Sequence, residues 1–202
     1  MRYNNLITER YRTLYDRATV EQRIGELATD IIGHHSDDNP LFVALPRGAM
    51  PFASQLMFNI TEQAPDFHPE LDVMISARNH NVFDAGQRPE VITSLTPTTR
   101  VLDRPVVLID DVLDLGKTPE AVRDHLRKLG ARSVELAVLV QKDIARRASG
   151  IRADYVGFHT STQWLAGMGM KDSSDTPEAY RWRQDILELK PYNGEPQPAL
   201  IS

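Results

Sequence analysis

The segment Val106-Val-Leu-Ile-Asp-Asp-Val-Leu-Asp-Leu-Gly-Lys-Thr118 narrows what this chain can fold into more than any other. Its apolar start, Val106 to Ile109, reads as a buried strand. Thr118-Pro119-Glu120 reads as a helix start, with Thr at the cap and Pro at the first position. A strand running through a short glycine turn into a helix is a unit of parallel α/β sheets, which bind ligands at the carboxyl ends of their strands. Gly116 lets the backbone approach a ligand closely, and free amides at the helix start can hold a phosphate. Adjacent carboxylates at a buried strand end, Asp110 and Asp111, followed by Asp114, are costly unless they meet a cation or hydroxyls. Gly116-Lys-Thr118 also ends the nucleoside-triphosphate loop, but that motif needs a glycine where Asp111 stands, so this reading is excluded.

The rest of the chain repeats the alternation. Thr19 and Gln22 suggest a capping box, with Ile24, Leu27, Ala28 and Ile31 on one helical face. Leu41 to Leu45 is an apolar run that Pro46-Arg-Gly48 ends, and Ala49 to Glu62 has helical spacing. Leu71 to Ala77 is a strand candidate; Arg78 to Glu90 is polar and weakly patterned, as a mobile loop would be, with Val91 to Leu95 returning from it. Gly130 stops the helix that starts near Thr118, and Ser133 to Val140 and Asp154 to Phe158 are further strands. The expected fold class is therefore α/β, a mostly parallel sheet flanked by helices. The less regular Trp164 to Ser202 forms a small hood lobe over one end. A single domain over 1–202 is expected, with a core of about 36–160 and a hood from 161–202 to which the N-terminus contributes.

Composition sets outer limits. A length of 202 residues with 41% apolar content supports one sizeable core. Net charge of −5 argues against broad electrostatic capture of nucleic acid, so an anionic ligand needs a local positive cluster. No cysteine is present, which excludes disulfides and thiolate metal sites. A polar start and the lack of a long apolar run point to a cytoplasmic protein with no membrane partner. The six histidines show no metal-ligand spacing.

An apolar strand, two acids, two apolar residues and then Asp-x-Gly-x-Thr resembles the 5-phosphoribosyl 1-diphosphate (PRPP) signature of type I phosphoribosyltransferases. The resemblance covers about residues 41–190. It implies that Asp110 and Asp111 hold the ribose hydroxyls with Mg²⁺ alongside. It also implies that Asp114, Leu115, Gly116, Lys117 and Thr118 wrap the 5′-phosphate, and that Pro46, Arg47 and Gly48 form the pyrophosphate loop. Residues 78–90 would be the lid, with Ser76-Ala77-Arg78 where the family has a Ser-Tyr pair. Asp110 and Leu115 depart from the Glu and Thr usual in purine-specific members.

Two subfamilies compete. Asp110 to Leu113, Leu136 to Val140 and Ile151 to Gly157 resemble the pyrimidine-operon attenuator proteins, which would imply an RNA-binding regulator or a uracil phosphoribosyltransferase. Asp114, Lys142 and Trp164 resemble the hypoxanthine-guanine enzymes instead. There the acid exchanges a proton with purine N7, the lysine binds the 6-oxo group and the aromatic residue stacks on the base. Trp164-Leu165-Ala-Gly-Met-Gly-Met-Lys-Asp172 and Tyr180-Arg181 resemble that subfamily's tail. Its metal-binding aspartate, however, appears one residue late, so that Lys171 precedes Asp172. The resemblance thus implies purine salvage from PRPP and a 6-oxopurine, Trp164 and Leu165 at the base, Asp172 as a second magnesium ligand, and a dimer or tetramer.

Overall fold

The computed structural model describes residues 10–77, 90–143, 151–161, 164–171 and 176–190. In chain order the elements are β1 (Tyr11–Tyr15), α1 (Arg17–His34), β2 (Leu41–Ala44), α2 (Met50–Gln63), β3 (Glu70–Val73), β4 (Ile75–Ala77), β5 (Glu90–Thr93) and β6 (Pro105–Leu113). They continue with α3 (Lys117–Lys128), β7 (Ser133–Lys142), β8 (Tyr155–Thr160), β9 (Leu165–Gly167), β10 (Met170–Lys171), α4 (Glu178–Arg181) and β11 (Ile186–Leu189).

Five strands form a parallel sheet in the order β3-β2-β6-β7-β8. Its central strands are apolar on both faces, as a sheet covered on both sides requires. Val107 and Ile109 of β6 join Phe42, Phe52, Leu56, Ile24 and Ile31 in one core, beneath α1 and α2. Val106 and Leu108 point the other way, into a core with Val122 and Leu126 of α3. A second sheet, antiparallel and ordered β1-β11-β9-β10, carries the first described strand beside the last described one. No described helix is long and apolar enough to cross a membrane.

Local chemistry corrects three expectations. Helix α1 is capped by Asp16, whose carboxylate accepts from the Thr19 amide at 2.8 Å, so Thr19 is inside the helix rather than at its cap. Leu71 to Ala77 is not one strand. It breaks at Met74, which is fully buried and donates its amide to the Ala44 carbonyl, and Ile75 onward pairs with β5 instead. Helix α3 begins two residues earlier than expected, at Lys117, because Gly116 adopts the left-handed conformation at φ 72° and serves as its N-cap in place of Thr118.

The β4–β5 ribbon is tied to the parallel sheet by Asp72, which is 8% exposed. Its carboxylate accepts from the amides of Val73 and Thr96 and the hydroxyls of Thr96 and Thr99, at 2.7–3.1 Å. Burial alone would raise its pKa, but these four donors outweigh burial and hold it below the usual carboxylate range. A folded pKa below the unfolded one gives stability that is present above about pH 4 and lost as pH falls through the folded value. Asp72→Asn is therefore expected to cost about 1–3 kcal/mol at pH 7 by urea denaturation, with the gap from wild type closing at strongly acidic pH.

Candidate active site

The carboxyl ends of β2, β6, β7 and β8 align. Ala44 lies opposite Ile109, so Pro46, Arg47 and Gly48 emerge beside Asp110 and Asp111. Leu113 lies opposite Gln141, and Lys142 opposite Thr160. Parallel register alone thus brings Asp114 next to Lys142, with Trp164 a few residues beyond the end of β8.

Asp110 and Asp111 belong to β6 itself, not to the turn after it. The Asp111 amide donates to Asp110 Oδ1 and the Val112 amide to Asp111 Oδ1, both at 3.0 Å. Burial first, and the neighbouring Asp111 charge second, push the Asp110 carboxyl well above the usual range. Such a pair is stabilised by hydroxyl donors or a cation. Gly48 packs directly on it: a Cβ there would sit 2.1 Å from Asp111 Oδ2. The Pro46–Arg47 bond is cis, and Arg47 is exposed.

After β6 the chain turns through Asp114, Leu115 and Gly116 into α3. Lys117 and Thr118 lie in the first turn, whose amides lack acceptors within the helix. With Glu120 the only acid in that turn, the helix start is suited to an anion.

Asp114 Oδ2 lies 3.4 Å from Lys142 Nζ. Lys142 is only 3% exposed, so its ammonium is held near the strand ends. The other Asp114 oxygen, Oδ1, is buried with no hydrogen-bond partner among the described residues, and so is the Trp164 indole N–H. Buried acceptors and donors are met in native proteins by protein groups, ordered water or a ligand, so both atoms can take a base's polar groups. The Leu165 side chain is 1% exposed and packs in the main core, with its backbone in β9 beside Trp164.

Two parts of the expected site lie outside the described residues: Asp172 and the loop 78–89 with Arg78. Conversely, sequence reasoning missed the β9–β10 turn as a partner of the 46–48 loop. Gly167, Met168 and Gly169 all have positive φ, at 96°, 48° and 93°. A Cβ on Gly169 would lie 1.7 Å from the Gly48 carbonyl oxygen. The Gly-Met-Gly spacing was the available signal.

A model of the phosphoribosyl transferase domain matches residues 10–172. The chain belongs to this family. Among curated phosphoribosyltransferases it is 28% identical over 170 residues to the hypoxanthine-guanine phosphoribosyltransferase of Streptococcus mutans, covering 84% of this chain and 88% of that one. It is likewise 28% identical over 181 residues to the enzyme of that name from Bacillus subtilis, covering 89% and 93%. The crystal structure of a hypoxanthine phosphoribosyltransferase from Staphylococcus aureus superposes with a TM-score of 0.79 at 23% identity, over 95% of this chain and 97% of that one. The parallel sheet with flanking helices is thus the phosphoribosyltransferase fold.

Proposed function

We propose that this chain transfers the phosphoribosyl group of PRPP to hypoxanthine or guanine, giving IMP or GMP and diphosphate. The observation that carries this is the Asp114–Lys142 pair, with a buried and unmet Asp114 oxygen, set beside the acid pair of β6. In this reading the Lys142 ammonium donates to the 6-oxo group. Asp114 Oδ1 takes the N7 proton as N9 forms its bond to C1′ and the bond from C1′ to the diphosphate oxygen breaks. Asp110 and Asp111 hold the ribose hydroxyls, and their charge stabilises the positive charge that builds on the sugar. The amides from Leu115 to Thr118 and the Thr118 hydroxyl hold the 5′-phosphate.

The acid pair also suits Mg²⁺, since two adjacent carboxyls, one with a raised pKa, are relieved by a nearby cation. When bound, the ion neutralises the diphosphate leaving group. Trp164 stacks on the base. We also propose the division into a core of about 36–160 and a hood from 161–202 with an N-terminal contribution, supported by the separate antiparallel sheet. A dimer or tetramer is proposed from the resemblance alone, and a cytoplasmic location from the polar start and the lack of a long apolar run in the sequence. The attenuator reading is set aside, because the curated relatives above carry the purine enzyme's name.

The test is direct. Purified protein with PRPP and Mg²⁺ is expected to form IMP from hypoxanthine or GMP from guanine, followed by the absorbance change of the base. Reaction with uracil and with neither purine would overturn the assignment.

A further inference from the structure

Lys171 and Arg181 lie on and beside the β9–β10 turn, which packs against Gly48 of the 46–48 loop. Arg181 Nη1 donates to the Gly169 carbonyl at 2.5 Å, and the Gly169 amide donates back to the Arg181 carbonyl at 2.8 Å. These bonds hold the β9–β10 turn against Gly48. Two residues further along is Lys171, paired with Ala166 across the hairpin. Two residues of chain span at most about 7 Å, so from Lys171 a lysine stem can bring its ammonium to the mouth of the 46–48 loop.

The Lys171 ammonium now rests 3.2 Å from Glu178 Oε2, and Arg181 Nε lies 2.7 Å from Glu178 Oε1. Glu178 is half exposed, so it holds Lys171 weakly and yields readily to a multiply charged anion. Glu178 thus bridges Lys171 and Arg181 beside the turn that packs on Gly48. A protonated lysine cannot ligate a metal, and it repels a divalent cation placed beside it. The resemblance would put a metal-binding aspartate where Lys171 stands; a lysine there does not suit that ion, and Asp172, the acid one residue later, lies outside the described residues.

We infer that Lys171 binds the diphosphate of PRPP directly, in the place of a second divalent cation, so that each active site works with one Mg²⁺. This rests on the phosphoribosyl-transfer reading above. Glu178 is the internal partner that Lys171 gives up when the diphosphate arrives.

Three binding measurements test it on the full-length protein. With PRPP and no base, Mn²⁺ followed by electron paramagnetic resonance is expected to bind at one ion per subunit. By calorimetry, Lys171→Met is expected to weaken inorganic diphosphate about tenfold, as loss of one charge-assisted contact predicts, while IMP binding stays as in wild type and Lys171→Arg largely restores affinity. Glu178→Gln should tighten diphosphate, the opposite of what a merely structural pair would give. Two Mn²⁺ per subunit in wild type, or unchanged diphosphate affinity in Lys171→Met, overturns the inference while IMP formation still stands. No IMP from hypoxanthine and PRPP at any Mg²⁺ concentration would instead remove the parent reading, and this inference with it.

Discussion

Gly169→Ala is expected to lower kcat/KM for hypoxanthine by about 100-fold or more, since displacement of a catalytic loop by an ångström is enough to do so. The physical cause is backbone against backbone. The new Cβ would stand 1.7 Å from the Gly48 carbonyl oxygen and 2.7 Å from its carbon, and no side-chain rotation relieves that. Residue 169 also has φ 93°, where an L side chain is strained by about 1–3 kcal/mol. Either the hood turn withdraws or the 46–48 loop is pushed aside. In the second case Gly48 presses on the Asp111 carboxylate, which it already touches. For a chain of this size each kcal/mol lost lowers Tm by about 2–4 °C, so a thermal melt separates strain from unfolding. Gly33→Ala is the control: nothing lies within 4 Å of a Cβ there, and alanine in α1 should leave activity unchanged and add about 0.5 kcal/mol of stability. Wild-type kcat/KM in Gly169→Ala would show that hood and loop are not mechanically linked.

What the sequence made legible follows from where the interactions are local. Continuous apolar runs at Leu41, Val106 and Leu136 identified strands buried on both faces, because a stretch covered on both sides needs apolar residues at successive positions. Asp110, Asp111, Asp114 and the turn to Thr118 were readable as a group because one strand–turn–helix unit carries them all. Lys142 was legible only through the resemblance, since its place beside Asp114 comes from strand pairing, with Leu113 opposite Gln141, and not from spacing. The contacts that were missed are long-range. Asp72 is an ordinary strand aspartate until Thr96 and Thr99 fold onto it. Gly169 is an ordinary turn glycine until Gly48 lies against it. The cap errors at Thr19 and Thr118 share a cause: threonine caps well in general, but Asp16 was better placed at one helix, and Gly116 could adopt the left-handed φ the turn needed at the other.

Asp114→Asn is expected to reduce kcat by about 10²- to 10⁴-fold, the range for losing a positioned general base. The amide has nearly the same shape as the carboxylate and still offers an oxygen, so the orientation of a base in the pocket survives. What it cannot do is hold the proton that leaves N7. Lys142 loses a carboxylate partner at 3.4 Å, which also weakens the grip on the 6-oxo group, so KM for hypoxanthine should rise as well. The PRPP contacts proposed here come from Asp110, Asp111 and the amides of the 114–118 turn, none of which the substitution removes. Calorimetric affinity for PRPP should therefore change by no more than about threefold, well under the loss in kcat. An equal loss of PRPP affinity and turnover would mean that Asp114 acts by shaping the phosphate turn. In that case the unmet Oδ1 would be a consequence of burial at the strand end, and the proton would have to leave the base by another route.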